Sequence, residues 1–326
     1  MSKIHYVRSL SILGCAVALA SGGATVSAAL FAYDPFAFGD PAVPANGEYT
    51  AGDDATGVNV LGGQNPTIGP TPFYAGGWIQ SGGDAQAVKA LPSLAYPSFQ
   101  PGVGGIVQDA VQFSCCSFGR NGREIAGGLG SELVPRTIYE SFLINFGSQG
   151  SDDPSSFGKR AHELWNGGIG DTFLTVDLFL NHFSGVNELS LSVNTAGTTA
   201  TVPVSGGGLS LGALTGVHLV VMKYEFNPVN PDSVSVFMDP VNSVEPGLPD
   251  AQILVATSDL LITHHGAFTQ FTFSGGTHIP GAIDEIRWGD TFRDVTPFAV
   301  PEVPPGAFLA LSLAGLAIVQ ALRKAT

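Results

Sequence analysis

His218-Leu219-Val220-Val221-Met222-Lys223-Tyr224-Glu225-Phe226 and, a short Asn/Pro-rich turn later, Asp232-Ser233-Val234-Ser235-Val236-Phe237-Met238-Asp239-Pro240 decide the reading of the fold. The first belongs to a long apolar run from Val217 to Phe226, as expected of a longer, more buried strand. The second alternates Val234, Val236 and Met238 with Ser233 and Ser235. Successive side chains on a strand point to opposite faces, so this alternation describes a strand with one buried side.

The same signature extends in both directions. Leu189, Leu191 and Val193 alternate with Ser190, Ser192 and Asn194, and Phe142, Ile144 and Phe146 with Ser141 and Asn145. Further strands are expected at Val107–Phe113, Phe173–Leu180, Gln270–Phe273 and Ile283–Trp288. Among 326 residues there are 43 glycines and 22 prolines, and only 12% of the chain is charged. Glycine and proline cut the apolar segments too short for helical periodicity, which predicts an all-β fold built as a two-sheet antiparallel sandwich. Ala29 to Pro101 is the least regular part. Its islands Tyr33, Phe36, Phe38, Trp78 and Ile79 are expected at irregular sheet edges, and a disordered stretch at Pro41–Pro72 is the alternative there.

The strand pair at 218–240 resembles adjacent strands of bacterial concanavalin A-like (laminin G-like) jelly rolls. Ile283-Asp284-Glu285-Ile286-Arg287-Trp288-Gly289-Asp290-Thr291-Phe292, with Asp294-Val295-Thr296-Pro297, resembles their closing strand. The resemblance covers residues 105–297 and implies two curved antiparallel sheets. Members of that family include sugar binders, glycoside hydrolases and modules without a known ligand.

Both ends read as processing signals. Lys3 and Arg8 precede an apolar stretch from Leu10 to Ala20, and Val26-Ser27-Ala28 offers a small-x-small cleavage pattern, which places the cut after Ala28 or one residue later. Ile12-Leu13-Gly14-Cys15 loosely resembles a lipoprotein box, with a plain leader residue as the other reading of Cys15. At the far end, Val300-Pro301-Glu302-Val303-Pro304-Pro305 leads into an apolar run from Gly306 to Leu322, closed by Arg323 and Lys324. This run of about 17 residues, polar only at Ser312 and Gln320, meets the short limit for a bilayer span, and the basic pair would stay cytoplasmic. This order resembles the PEP-CTERM sorting tail of Gram-negative bacteria. It departs where Val303 separates Glu302 from Pro304 and in its short basic cluster. The resemblance implies recognition by an exosortase-type membrane protease; a simple membrane anchor is the alternative. The expected organisation is therefore a signal peptide (1–28), an irregular part of the sandwich (29–104), the jelly-roll core (105–297) and a sorting tail (298–326) with a transmembrane helix at 306–322.

Of 13 Lys and Arg, Lys3, Arg8, Arg323 and Lys324 lie in those ends, whereas of 27 Asp and Glu only Glu302 does. The body keeps a net charge near −17 (roughly nine bases against twenty-six acids), which argues against nucleic acid or anionic lipid as its partner. Neutral polysaccharide, cations and plain solubility all remain compatible. Cys115 and Cys116 are adjacent, with no CxxC spacing for zinc; buried thiols, a vicinal bond or an intermolecular bridge are open.

Catalytic motifs are sparse. A retaining glycosidase needs two carboxylates about 5–5.5 Å apart. Asp284-Glu285 is the only acidic pair in a good strand, and neighbours on a regular strand face opposite ways, so a hydrogen-bonding role near a sheet edge is expected. Ser205-Gly206-Gly207-Gly208 reads as a plain loop. His264 and His265 would splay apart on a strand. With His278 they are weighed as a metal site against solvated loop histidines. Asp53-Asp54 and Asp152-Asp153 offer oxygen ligands for calcium without a loop spacing that supports it. Trp78, Trp165 and Trp288 suit sugar stacking or core packing. Trp165, in His162-Glu163-Leu164-Trp165-Asn166-Gly167-Gly168, is the candidate ligand-facing aromatic.

The expectation is an exported, surface- or matrix-directed module without enzymatic activity or cofactor, acting in adhesion or polysaccharide binding. A glycan-active hydrolase on the same fold, or a ligand-free spacer, are the alternatives.

Overall fold

The computed structural model describes residues 30–34, 38–39, 49–50, 73–81, 87–92, 94–97, 99, 109–114, 120–130, 134–145, 157–167, 174–183, 186–195, 198–204, 216–255, 260–272 and 281–298. The leader, the tail with its span at 306–322, Asp53-Asp54, Cys115-Cys116, Asp152-Asp153 and His278 lie outside them. Among the described residues no helix is long and apolar enough to cross a membrane.

The first sheet contains β1 (Leu30–Asp34), β5 (Ala87–Pro92), β6 (Asp109–Ser114), β8 (Arg136–Asn145), β13 (Val217–Phe226), β14 (Ser233–Met238), β15 (Ala251–Leu254) and β17 (Gly281–Gly289). Its order is β15-β14-β13-β8-β17-β6-β5, with β1 also on β17. The second contains β4 (Ile79–Ser81), β7 (Arg120–Leu129), β9 (Phe157–Trp165), β10 (Leu174–Phe183), β11 (Val186–Thr195), β12 (Thr198–Pro203) and β16 (Ile262–Thr272). Its order is β12-β11-β10-β9-β16-β7-β4. All these pairings are antiparallel. A two-residue parallel ladder joins β2 (Phe38–Gly39) to β3 (Tyr49–Thr50), and one short helix, α1 (Phe292–Val295), follows β17.

Alternation fixes which residues lie between the sheets. The inner face of β13 presents Val220, Met222, Tyr224 and Phe226, and that of β14 Val234, Val236 and Met238. Leu189, Leu191 and Val193 of β11 meet them from the other sheet in one cluster. A second apolar cluster lies on the outer side of the first sheet. Leu219, Val221, Leu143 and Phe237 are covered there by Leu94, Phe99, Phe292 and Val295. Two covered faces explain why every residue of β14 is buried although its sequence alternates. Capping of α1 holds that cover in place: the Thr291 side chain accepts from Asp294 N, and the Asp294 carboxylate accepts from Thr291 N at 2.8 Å. Beyond it, Phe298 packs on Phe99, so folded structure continues to residue 298.

β17 is the last strand among the described residues, and it sits mid-sheet between β8 on one side and β6 and β1 on the other. Its register slips between Asp284 and Arg287, and Glu285 takes a left-handed φ of 58°. Strict alternation, which would put Asp284 and Glu285 on opposite faces, does not hold through this bulge. Asp284 accepts from Leu94 N and Glu285 N, while Glu285 accepts from the Tyr33 hydroxyl and Arg287 Nη2. The hydrogen-bonding role stands, in the middle of the sheet rather than at its edge.

Candidate functional site

The inner face of β8 reads Ile138, Glu140, Phe142, Ile144, one carboxylate in an apolar row, and Glu140 is fully buried. From the opposing sheet, β9 points His162 inward and β16 points His265 inward, both fully buried. Glu140 Oε2 lies 2.7 Å from His162 Nε2 and accepts from the Tyr224 hydroxyl at 2.9 Å. Glu140 Oε1 is 2.9 Å from His265 Nε2. The two atoms are off the hydrogen-bonding line, however, and neither has an aligned partner. On the far side of the His265 ring, Nδ1 is 3.0 Å from the Tyr74 hydroxyl, which accepts from Trp288 Nε1 at 3.0 Å. The His162 ring stacks on Phe142 with 1° between planes.

Arg123 of β7 borders this centre. It pairs with Asp34 of β1 at 2.9 Å and lies over the Tyr74 ring at 3.9 Å. Burial alone would raise the Glu140 pKa. The imidazoles of His162 and His265 outweigh it and hold the carboxyl down at about 2. Burial pushes the His265 pKa below its ordinary value, with the nearby Arg123 charge adding and Glu140 opposing. Burial first, then the Glu140 charge, raises the Tyr224 hydroxyl far above its usual range. The centre therefore holds a carboxylate anion, a neutral His265 and a protonated phenol at neutral pH.

A second polar group occupies the outer face of the second sheet. Glu163 and Trp165 alternate with the inward His162 and Leu164. Glu163 is the register partner of Asp177 on β10 and of Gly266 on β16. Trp165 pairs with His264, and their rings stack at 5.5 Å with 7° between planes. Trp165 reaches over Gly122 of β7, where a Cβ would strike its ring. Glu163 and Trp165 are wholly buried, Asp177 is 7% exposed, and the patch reaches solvent through half-buried His264 and exposed Glu124.

The expectation that Trp165 faces a ligand in a turn-rich segment is therefore corrected. It ends a central strand and is buried by ring and backbone contacts. Trp78 and Trp288 are core residues of the inter-sheet cluster. His264 and His265 do splay to opposite faces, but His265 is no solvated loop residue. It meets Glu140 and His162, which no sequence spacing links to it, because the three are brought together only by sheet packing. The Glu163–Asp177 pairing was likewise invisible, since it depends on cross-strand register.

No protein-family model matches the chain, and no curated protein matches it. Solved structures do. An endo-beta-1,4-glucuronan lyase from the fungus Trichoderma reesei is similar at 16% identity and a TM-score of 0.43, over 67% of this chain and 93% of that one. The globular domain of T. cruzi calreticulin is similar at 14% identity and a TM-score of 0.40, over 65% and 84%. The binding domain of botulinum neurotoxin serotype C1 is similar at 10% identity and a TM-score of 0.37, over 64% and 46%. These likenesses concern the path of the chain and say nothing of a ligand.

Proposed function

We propose that this chain is an exported, surface- or matrix-directed β-sandwich module that binds extracellular polysaccharide without chemically changing it. The observation that carries the reading is the contrast between the two outer faces. That of the first sheet is sealed by an apolar cover, whereas that of the second bears Trp165, His264, Glu163 and Asp177 beside two glycines, Gly122 and Gly266. Of the polar groups on this face, half-buried His264, Asp177 and exposed Glu124 reach solvent and can bond sugar hydroxyls, while the buried Trp165 and Glu163 hold them in place. Export and anchoring are supported by the apolar ends, by the Val300-Pro301-Glu302-Val303-Pro304 tail with Arg323 and Lys324, and by the acidic body.

The purified full chain on a glycan array, with and without calcium, tests the binding reading. Binding to neutral glycans that drops at least tenfold in His264→Ala supports it, and an array blank in both conditions overturns it. Export is tested by fractionating cells that make the full chain or a version ending at Pro297. The full chain is expected with the membrane, and identical partitioning of the two overturns the anchor.

The Glu163–Asp177 pairing favours a second reading, a glycan-active enzyme. Directly opposed residues on adjacent strands bring their Cβ atoms to about 4.5–5.5 Å, compatible with a two-carboxylate mechanism. Release of reducing sugar from an array-positive glycan, abolished in Asp177→Asn, decides for this reading.

A further inference from the structure

We propose that Glu140, His162 and His265 form a binding site for one zinc-class divalent metal ion, a buried staple between the two sheets. The three residues each offer one ligand atom, and these atoms lie within 4.8 Å of one another in a wholly buried setting. They come from β8 on one sheet and from the paired strands β9 and β16 on the other, so an ion here ties β8 to both strands of the facing sheet.

The donor set selects the metal. Two imidazole nitrogens and one carboxylate oxygen suit zinc and its first-row neighbours, whereas calcium and magnesium require oxygen ligands throughout. Calcium is therefore the wrong expectation for this centre. Bond lengths of about 2.0–2.1 Å place tetrahedral ligand atoms roughly 3.3 Å apart. With Glu140 Oε1 as the ligand atom, its 2.9 Å separation from His265 Nε2 needs to open by only about 0.4 Å to reach that spacing.

Two further observations point to an ion rather than to a closed hydrogen-bond network. Glu140 Oε1 and His265 Nε2 converge yet make no aligned hydrogen bond, in a place where an unmatched polar atom is costly. The outer contacts are also those of a metal site. Tyr224 holds Glu140 Oε2, which leaves Oε1 to act as ligand. The Tyr74 oxygen lies on His265 Nδ1, where it can accept the Nδ1 proton and leave the Nε2 lone pair pointing inward. Trp288 Nε1 fixes that oxygen from behind. A ligating imidazole whose other nitrogen is held by a fixed polar group is the usual arrangement around such ions. Arg123 adds little repulsion, because Asp34 takes up its charge at 2.9 Å.

The test uses the purified full chain, stripped with chelator and then given zinc or cobalt(II). One zinc per chain is expected by elemental analysis, visible d–d absorption with cobalt, and a melting temperature higher by roughly 5–10 °C at a hundredfold excess over Kd. Glu140→Gln, which keeps the side-chain shape, should lose the bound zinc and its thermal shift. Failure of the stripped wild-type chain to take up zinc, or an equal thermal shift in Glu140→Gln, overturns the site. The cobalt spectrum of the wild-type chain decides the matter even where a variant does not fold. None of these readouts depends on glycan binding, so the two proposals stand or fall separately.

Discussion

Removing the Asp34 carboxylate should damage this sandwich more than any surface change. Asp34 from β1 in the first sheet meets Arg123 from β7 in the second at 2.9 Å, with side-chain exposures of 1% and 0%. In Asp34→Ala the guanidinium stays buried with its main charge partner gone, although the Tyr74 and Trp78 rings remain beside it at 3.9 and 5.5 Å. Breaking a buried pair from one side costs about 3–5 kcal/mol. For a domain of this size each kcal/mol moves the melting temperature by roughly 2–4 °C, so a fall of about 10 °C is expected. Replacing both partners by apolar residues, Asp34→Leu with Arg123→Met, removes the stranded charge and should recover more than half of that loss. Urea unfolding of the wild type, both single variants and the double variant, followed by tryptophan fluorescence, closes the cycle. Single-variant losses below about 1 kcal/mol that simply add in the double variant would refute the reasoning, because a pair worth so little is not desolvated.

Gly289→Ala places a Cβ 2.5 Å from Asp294 Cβ, so the α1 cap over the first sheet should loosen. Proteolysis near residue 292 is the readout, and unchanged cleavage contradicts the packing. Thr291→Ala removes the cap of the same helix and should cost about 1 kcal/mol by urea unfolding, whereas Thr291→Ser should cost little. Gly130→Ala, at a left-handed φ of 93° against the Leu260 carbonyl, should be among the worst small substitutions, seen as loss of soluble folded protein. Acid should weaken the chelator-stripped chain in two steps. His265 is held below its ordinary 6.5, so its contribution is complete above that value and lost as pH falls below it. Glu140 is held at about 2 against 4.5, so its contribution is complete above 4.5 and lost as pH falls towards 2. Urea midpoints at pH 7.5, 5.5 and 3.5 should therefore decline in order, and a flat series contradicts both shifts.

The all-β class was legible in one dimension because alternation is a local consequence of strand geometry. Leu189-Ser190-Leu191-Ser192-Val193 and Val234-Ser235-Val236 each carry their inner face in their own spacing, and turn residues mark where they stop. The full burial of Ser233 and Ser235 was not legible, since it depends on a neighbouring strand and on partners such as Glu225 and Gln252 reached across the sheet. The bulge at Glu285 is a property of pairing with β8, and its one trace in the sequence is the three-residue step from Ile283 to Ile286, both on the inner face.

The candidate centres show the same division more sharply. Sequence alone determined that Glu140, His162 and His265 exist, and that the first interrupts an apolar face. It could not bring them together, since 22 residues separate Glu140 from His162 and His265 comes from another strand still further along the chain. Strand identity is written locally, in side chains that must choose between two faces. Which faces meet, and hence which carboxylate lies against which imidazole, is decided only when two sheets pack, because that choice is made by shape and burial over the whole interface.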